Sequence, residues 1–221
     1  MSTSQGRVGP PTASVITDQT VDNRMGNMRE LVVQEAHGKF YEGTYRGNRY
    51  SIGNTVAALS ANSITLTAIT TPIIGVWNPN TSTVNLVIDK ATLQIAVAGN
   101  SAVAPGAFVW ATSVGNAVIS TGNAPLNRKT LTAAGSVAKG FNLGTALTGL
   151  TNNLVIQFAA AFGTLVAAQG ATATPIIGPV GYEEFDGSLI IPPGGVLALL
   201  NTVSTTTVSV AASLVWEEVP T

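Results

Sequence analysis

Apolar and polar residues alternate along much of the chain after residue 55, which is the pattern of half-buried β-strands. Near the C terminus one parity is apolar over nine residues: Val208, Val210, Ala212, Leu214 and Trp216. Residues of one parity share a face of a strand, so this segment is predicted to place one face on a core. Ser63–Thr67 alternates in the same way.

The segment TVNLVIDKATLQIAV, residues 83–97, changes parity in its middle. Its first half is apolar at Val84, Leu86 and Ile88, and its second half at the opposite parity from Leu93 to Val97. A shift of one residue exchanges the two faces of a strand. The sequence therefore predicts either a β-bulge or a tight turn around residues 89–92.

Residues 187–202 read GSLIIPPGGVLALLNT, an apolar run interrupted by Pro192-Pro193-Gly194-Gly195. Proline fixes φ and removes a backbone donor, and glycine admits positive φ, so this tetrapeptide ends a helix and favours a turn. The flanking pieces have the length and aliphatic content of strands. We predict a strand, a tight connection and a second strand, both well buried.

Turn signals containing Gly, Pro or Asn recur at short intervals after residue 55 and separate many short apolar segments. This spacing is typical of an all-β sandwich or barrel with little helix. The length fits a jelly roll best. We predict an all-β, jelly-roll-like β-sandwich over residues 55–221, preceded by an N-terminal arm over residues 1–54.

The predicted arm differs from the rest of the chain in being polar at its start and aromatic at its end. Four aromatic residues lie within eleven positions: Phe40, Tyr41, Tyr45 and Tyr50. Glycines at 38, 43 and 47 punctuate this segment, which makes a helix improbable and favours an extended ribbon or hairpin. The arm either docks on another protein or packs on its own domain.

The composition restricts the chemistry available to the protein. The 221 residues include no cysteine and one histidine, His37, and only 10% are charged, against about 25% in typical soluble domains. Disulfides, thiolate metal sites and most imidazole chemistry are therefore excluded. Residues 51–182 sum to +3 and residues 183–221 to −5. Opposite signs suit head-to-tail contacts between copies, although ordinary dispersed surface charge accounts for the same distribution.

Partners other than proteins find little support. No block is basic enough to indicate nucleic acid, and the N terminus has no apolar core of a signal peptide. The most apolar segment, Leu154–Ala168, has 15 residues, whereas a membrane-spanning helix needs about 20. We interpret it as a buried strand or strand pair.

Candidate catalytic groups are few. Tyr182–Gly187 gathers three carboxylates, and Glu217-Glu218 form a second acidic pair, but neither has the spacing of a known ion-binding loop. A charged turn and a charged strand end explain them more simply. The three tryptophans lie in apolar segments, which favours core packing over a sugar-stacking platform. We predict no catalytic, metal or cofactor site.

Several stretches of the chain resemble a group of virion proteins of tailed bacteriophages encoded among the head and tail genes. They are ELVVQEAHGKFYEGTYRGNRYS, GVWNPNTSTVNLVI, NRKTLT with LTGLTNNL, EEFDGSLIIPPGGVLALL and SLVWEEVP. The resemblance implies a non-enzymatic structural protein, a head decoration or cement protein with a β-sandwich fold. It implies location in the virion after synthesis in the host cytoplasm, with the major capsid protein or other virion proteins as partners and homo-oligomers expected.

Interface residues follow from the arm, since aromatic residues and arginine are enriched at protein interfaces. The predicted contacts are Phe40, Tyr41, Tyr45, Arg46, Arg49 and Tyr50. Two alternative functions remain: a tail, collar or adaptor component, and a carbohydrate-binding jelly roll for host attachment.

Overall fold

A computed structural model describes the chain in eight segments. They are residues 38–53, 59–60, 72–97, 107–115, 124–142, 155–161, 181–201 and 209–221. Residues 1–37 of the predicted arm, with His37, lie outside the described residues, as does the alternating segment 63–67.

The described residues form one short helix and eleven strands. They are α1 (Tyr41–Arg46), β1 (Arg49–Gly53), β2 (Leu59–Ser60), β3 (Ile74–Trp77), β4 (Val84–Val97), β5 (Ala107–Val114), β6 (Leu126–Asn127), β7 (Lys139–Asn142), β8 (Val155–Ala161), β9 (Gly181–Ile191), β10 (Gly195–Asn201) and β11 (Ser209–Pro220). Strand β8 confirms a strand in part of the apolar segment that begins at Leu154. The prediction that this strand is buried is wrong for its first residues, because Val155 and Ile156 are 59% and 42% exposed on an edge strand. Within the described residues, no helix combines the length and hydropathy needed to cross a bilayer.

The strands form two antiparallel sheets. Sheet one has the order β6-β1-β11-β4-β9, with β2 also paired to β11, and sheet two has the order β7-β3-β10-β5-β8. Eight strands pair in a nested way, β1 with β11, β3 with β10, β4 with β9 and β5 with β8. This nesting, distributed over two sheets, is the connectivity of a jelly roll. The predicted all-β, jelly-roll-like sandwich is confirmed.

The core lies between the sheets and is contributed by both. Trp110 of sheet two and Trp216 of sheet one are 1% and 0% exposed, and aliphatic residues of β4, β10 and β11 complete the cluster. The core-facing parity predicted for β11 is confirmed at every described position from Val210 to Trp216. Burial of Trp110 and Trp216 also confirms that these two tryptophans serve packing.

Of the two alternatives predicted for residues 89–92, a bulge or a tight turn, strand β4 contains a bulge. On its partner β11, Val215 pairs with Lys90 and Trp216 with Ile88, so Asp89 is the extra residue on β4. The strand continues without a turn, and Ile88 and Ala91 are both buried although they have opposite parity. The bulge allows the core-facing side to change parity within one strand.

The Pro192–Gly195 segment joins the two sheets, because β9 belongs to sheet one and β10 to sheet two. Gly194 has φ +82°, and the amide of Gly195 donates to the carbonyl of Pro192 at 2.8 Å, which closes the turn. Strand β10 is buried at all positions, as predicted. The same prediction is wrong for β9, whose outer residue Ile190 is 52% exposed because β9 is an edge strand with one face in solvent.

The segment before β1 contains a helix where an extended ribbon or hairpin was predicted, so that prediction is wrong for Tyr41–Arg46. Gly43 does not break the helix. A Cβ at this position would lie 2.9 Å from the carboxylate of Glu217, so glycine lets that side chain lie against the helix. The helix ends at Arg46 and is followed by Gly47, which has φ +81°.

The chain divides into two compact units, residues 1–42 and 43–221. Of the first unit, only residues 38–42 are described. Residues 49–53, which the sequence analysis included in the arm, form β1, and β1 pairs with β11 on one side and β6 on the other.

Candidate interaction surfaces

The six residues predicted at an interface fall into two groups. Tyr41 and Tyr45 are 43% and 51% exposed, Arg46 is exposed and Phe40 is partly buried. Arg49 and Tyr50 are buried in β1.

Arg49 forms a buried ion pair with Asp89, the bulged residue of β4. The two side chains are 4% and 6% exposed. Burial raises the pKa of Asp89 above its ordinary value, the guanidinium of Arg49 acts in the opposite direction, and the charges of Glu217 and Asp186 add to the increase. Arg49 thus compensates a charge inside this chain, and the structure corrects its assignment as a surface contact.

Tyr50 packs into the core against Trp216, with ring centroids 6.3 Å apart and an interplanar angle of 29°. Burial raises the pKa of its phenol, the nearby charge of Glu218 raises it further, and a hydrogen bond with Asn127 acts in the opposite direction. Its predicted interface role is corrected in the same way, because a core residue offers no surface to a partner.

The remaining residues present a polar and aromatic surface, the exposed side chains of α1. We call this the helix surface, and it comprises Tyr41, Glu42, Tyr45 and Arg46. The ammonium of Lys129 lies 4.7 Å from the ring centroid of Tyr45, within range of a cation–π interaction. This contact fixes one face of Tyr45 and leaves half of the side chain in solvent.

Lys129 belongs to a loop at the β6 edge of sheet one, residues 126–132, which we call the basic loop. Asn127 organises it: its Oδ1 accepts from the amides of Lys129 (2.9 Å) and Thr130 (3.3 Å), and its Nδ2 donates to the carbonyl of Gly47 at 2.6 Å. The Asn127 amide donates to the carbonyl of Thr132 at 2.9 Å. Hydrogen bonds of the Asn127 side chain and of the loop backbone therefore close the loop.

Leu131 is at the tip of the basic loop in a left-handed conformation, with φ +58°, and is 76% exposed. Residues other than Gly, Asn and Asp rarely adopt positive φ, because the left-handed backbone conformation costs them about 1–2 kcal/mol. The sequence pattern did not predict an exposed, left-handed leucine at this position. The only local signal was Asn127, since Asn before a short polar run favours a turn.

An apolar groove lies at the opposite edge of the sandwich, between edge strands β8 and β9. It has a volume of about 350 Å³, and we call it the edge groove. Its walls include Val114, Val155, Ile190, Pro192, Thr112 and Gln157. Val155 is 59% exposed and Val114 38% exposed, so the groove presents apolar surface to solvent.

The acidic segment Tyr182–Gly187 lies within β9, whereas the sequence analysis placed it in a turn before a strand. Asp186 (φ 47°) and Gly187 (φ 84°) break the regular extended backbone there. Glu184 and Asp186 are exposed, and the hydroxyl of Tyr182 donates to Glu184. Among the described residues, no group of three or more His, Cys, Asp or Glu side chains could hold a metal ion.

The second acidic pair, Glu217 and Glu218, does not act together, because adjacent strand residues point to opposite faces. Glu218 is buried and accepts hydrogen bonds from the hydroxyl of Ser136 (2.5 Å) and the amide of Val137 (3.3 Å). Glu217 lies against Gly43 on the other face. Both residues lie near the end of β11, as the simpler interpretation of the sequence predicted.

No protein-family model matches the chain, and comparisons with curated proteins and with solved structures found no significant match.

Proposed function

We propose that the chain is a non-enzymatic structural protein that acts through protein–protein contacts and that, in its most specific form, it is a decoration or cement protein on the head of a tailed bacteriophage. The observation that carries the proposal is the helix surface, where Tyr41 and Tyr45 are 43% and 51% exposed beside the exposed Arg46. Tyrosine and arginine are the side chains over-represented at the energetic centres of interfaces.

Two further features support a role in a protein assembly. The jelly roll provides a rigid scaffold, since its core is filled by side chains from both sheets. The resemblance of its sequence to phage virion proteins supplies the setting. Repeated weak contacts on a many-copy particle give high avidity, so no single deep site is needed.

The carbohydrate-binding alternative requires exposed tryptophan for stacking. Trp110 and Trp216 are buried, which leaves the partly buried Trp77 as the one tryptophan with described surface. We expect weak acrylamide quenching of two thirds of the tryptophan fluorescence and no emission shift on adding host glycans. A glycan-induced shift would move the proposal to host attachment.

The test is cosedimentation with purified heads, and separately with purified tails, of the phage that encodes the chain. We expect the wild-type chain to bind heads, and the double variant Tyr41→Ala/Tyr45→Ala to bind at least tenfold more weakly. Tyr182→Ala is the matched control, because Tyr182 has similar exposure, 49%, on β9. It should bind heads like the wild type.

Three results would contradict this proposal. Binding to tails and not heads would replace decoration by a tail, collar or adaptor role. Absence of binding to both particles would reject the virion role. Equal loss in the two tyrosine variants would show that the helix surface is not the contact.

A further inference from the structure

We propose that the basic loop of one copy docks into the edge groove of a second copy, so that copies of this chain join head to tail, edge against edge. This goes beyond the proposed function, which concerns the helix surface and a different partner. It commits the edge groove to one occupant, Leu131 of a neighbouring chain.

The basic loop and the edge groove lie at matching positions on opposite edges of sheet one. Register pairings connect the basic loop to the edge groove in one cross-strand row through sheet one: Asn127, Tyr50, Trp216, Ile88 and Leu189. The loop starts at one end of this row, and Leu189, which lines the groove, is at the other. Loop and groove therefore lie at the same height along the strands, on opposite edges. A second copy displaced sideways brings its loop opposite the groove of the first.

The exposed side chain of Leu131 and the edge groove are complementary in shape. Leu131 projects from its loop with 76% of its surface exposed, although its left-handed backbone would suit asparagine or glycine better. A strained residue that the surrounding hydrogen bonds retain is a candidate for function. The edge groove offers the complement, an apolar opening walled by Val114, Val155 and Ile190. Its volume of about 350 Å³ is ample for a leucine side chain and its neighbours.

The basic loop and the β9 edge carry charges of opposite sign. Residues 124–142, which contain the basic loop, carry Arg128, Lys129 and Lys139 and no acidic residue, and all three are exposed. Strand β9 carries the acidic segment, with three carboxylates between residues 183 and 186. A second row runs from the loop to this segment: Leu126, Ser51, Val215, Lys90 and Glu184. Lys90 lies beside Glu184 and compensates part of the charge, so the β9 edge keeps a net negative charge.

The complementary surfaces decide the symmetry of the contact. A two-fold dimer brings each patch against itself or exchanges both patches at one interface, whereas these patches are on opposite edges. Loop against loop would place cations together, and groove against groove would place carboxylates together. Head-to-tail joining pairs opposite charges at every contact and produces either a closed ring or a growing row.

Edge protection is the competing explanation of the acidic residues. Charged side chains and irregular backbone on an edge strand prevent it from pairing with other strands. Under that explanation, Glu183 and Glu184 have no partner loop, and reversing the charges on the basic loop has no effect on association.

The test uses three full-length variants and measures solution mass by light scattering and sedimentation velocity over a range of concentrations. The first is Arg128→Glu/Lys129→Glu, the second is Glu183→Lys/Glu184→Lys, and the third is Leu131→Asn. Asparagine tolerates positive φ, so the third variant removes the apolar tip and keeps the loop conformation. Lys39→Glu is the control for a charge reversal elsewhere, because Lys39 is exposed and belongs to neither the basic loop nor the edge groove. Circular dichroism and thermal melting establish that every variant is folded.

We expect the mass of the wild type to grow with concentration and each of the three variants to associate at least tenfold more weakly, with Lys39→Glu close to wild type. Mixing the two charge-reversed variants should restore association, because each then meets a partner of opposite sign. A wild type that stays monomeric at all concentrations overturns the inference, as does a mixture that fails to recover. These outcomes are independent of head binding, so failure here leaves the proposed function intact, and failure of head binding leaves this contact intact.

Discussion

Removing the charge of Arg49 while keeping its length, as in Arg49→Met, should strongly destabilise the fold. The side chains of Arg49 and Asp89 are 4% and 6% exposed, so the change leaves a carboxylate buried without its compensating cation. Breaking a buried pair in this way costs about 3–5 kcal/mol, whereas a surface pair contributes about 0.2–1 kcal/mol. Because both side chains are buried, the Arg49–Asp89 pair belongs with the buried pairs. A loss of this size is a large fraction of the 5–15 kcal/mol that typically stabilises a domain.

The pH dependence of the stability loss in Arg49→Met tests the same ion pair independently. Burial already raises the pKa of Asp89 above its ordinary value of 3.8, and loss of Arg49 removes the main influence that lowers it. An acid with a raised folded pKa stabilises the fold fully below its unfolded pKa, and that stability is lost as pH rises through the folded pKa. The deficit of Arg49→Met relative to wild type should therefore be greatest near about pH 7 and shrink toward about pH 4.

The assay is urea unfolding followed by tryptophan fluorescence at several pH values, with Asp89→Asn in both backgrounds. Neutralising Asp89 in the Arg49→Met protein should restore at least about 2 kcal/mol, because no buried charge then remains. The reasoning is refuted if Arg49→Met costs less than about 1 kcal/mol, or if Asp89→Asn restores nothing in that background.

Three further predictions concern packing and backbone strain, each checked by urea unfolding. Gly75→Ala should lower the free energy of unfolding by more than about 3 kcal/mol, because the new Cβ would lie 2.4 Å from the carbonyl oxygen of Leu197. Gly53→Ala is the control: the nearest atom to its Cβ would be 3.6 Å away, so the loss should stay within about 1 kcal/mol. Similar losses in the two variants would contradict the packing argument. Leu197→Ala should cost about 2–5 kcal/mol in the fully buried β10, and Ile190→Ala, which is 52% exposed, about 0.5 kcal/mol or less; equal effects would place the core elsewhere. Leu131→Asn should leave stability unchanged or raise it by up to about 1 kcal/mol, and a marked loss would mean that the leucine packs within its own chain.

Periodic signals made much of the sandwich predictable. The parity of β11 identified its core face, and the change of parity after Ile88 predicted either a bulge or a turn around residues 89–92, where the structure has a bulge at Asp89. The Pro-Pro-Gly-Gly turn was equally clear, because backbone restrictions of proline and glycine act locally. The pattern did not reveal that the turn connects two different sheets, with β10 inside one of them and β9 at the exposed edge of the other.

The errors around residues 40–50 have one origin. Gly43 was interpreted as a helix breaker, but it accommodates Glu217, a residue near the other end of the chain. Arg49 and Tyr50 had the composition of an interface, yet their partners Asp89 and Trp216 bury them. Local sequence does not reveal which distant strand covers a residue.

The sequence by itself thus determined the all-β class, the Pro-Pro-Gly-Gly turn and the absence of disulfide support, because these depend on side-chain alternation, φ preferences and residue type over a few positions. Only the tertiary structure decided which charges are buried, which tyrosines reach solvent, and that the basic loop and the edge groove end the same row of sheet one. Those properties depend on long-range strand pairing, which brings together residues that no local pattern connects.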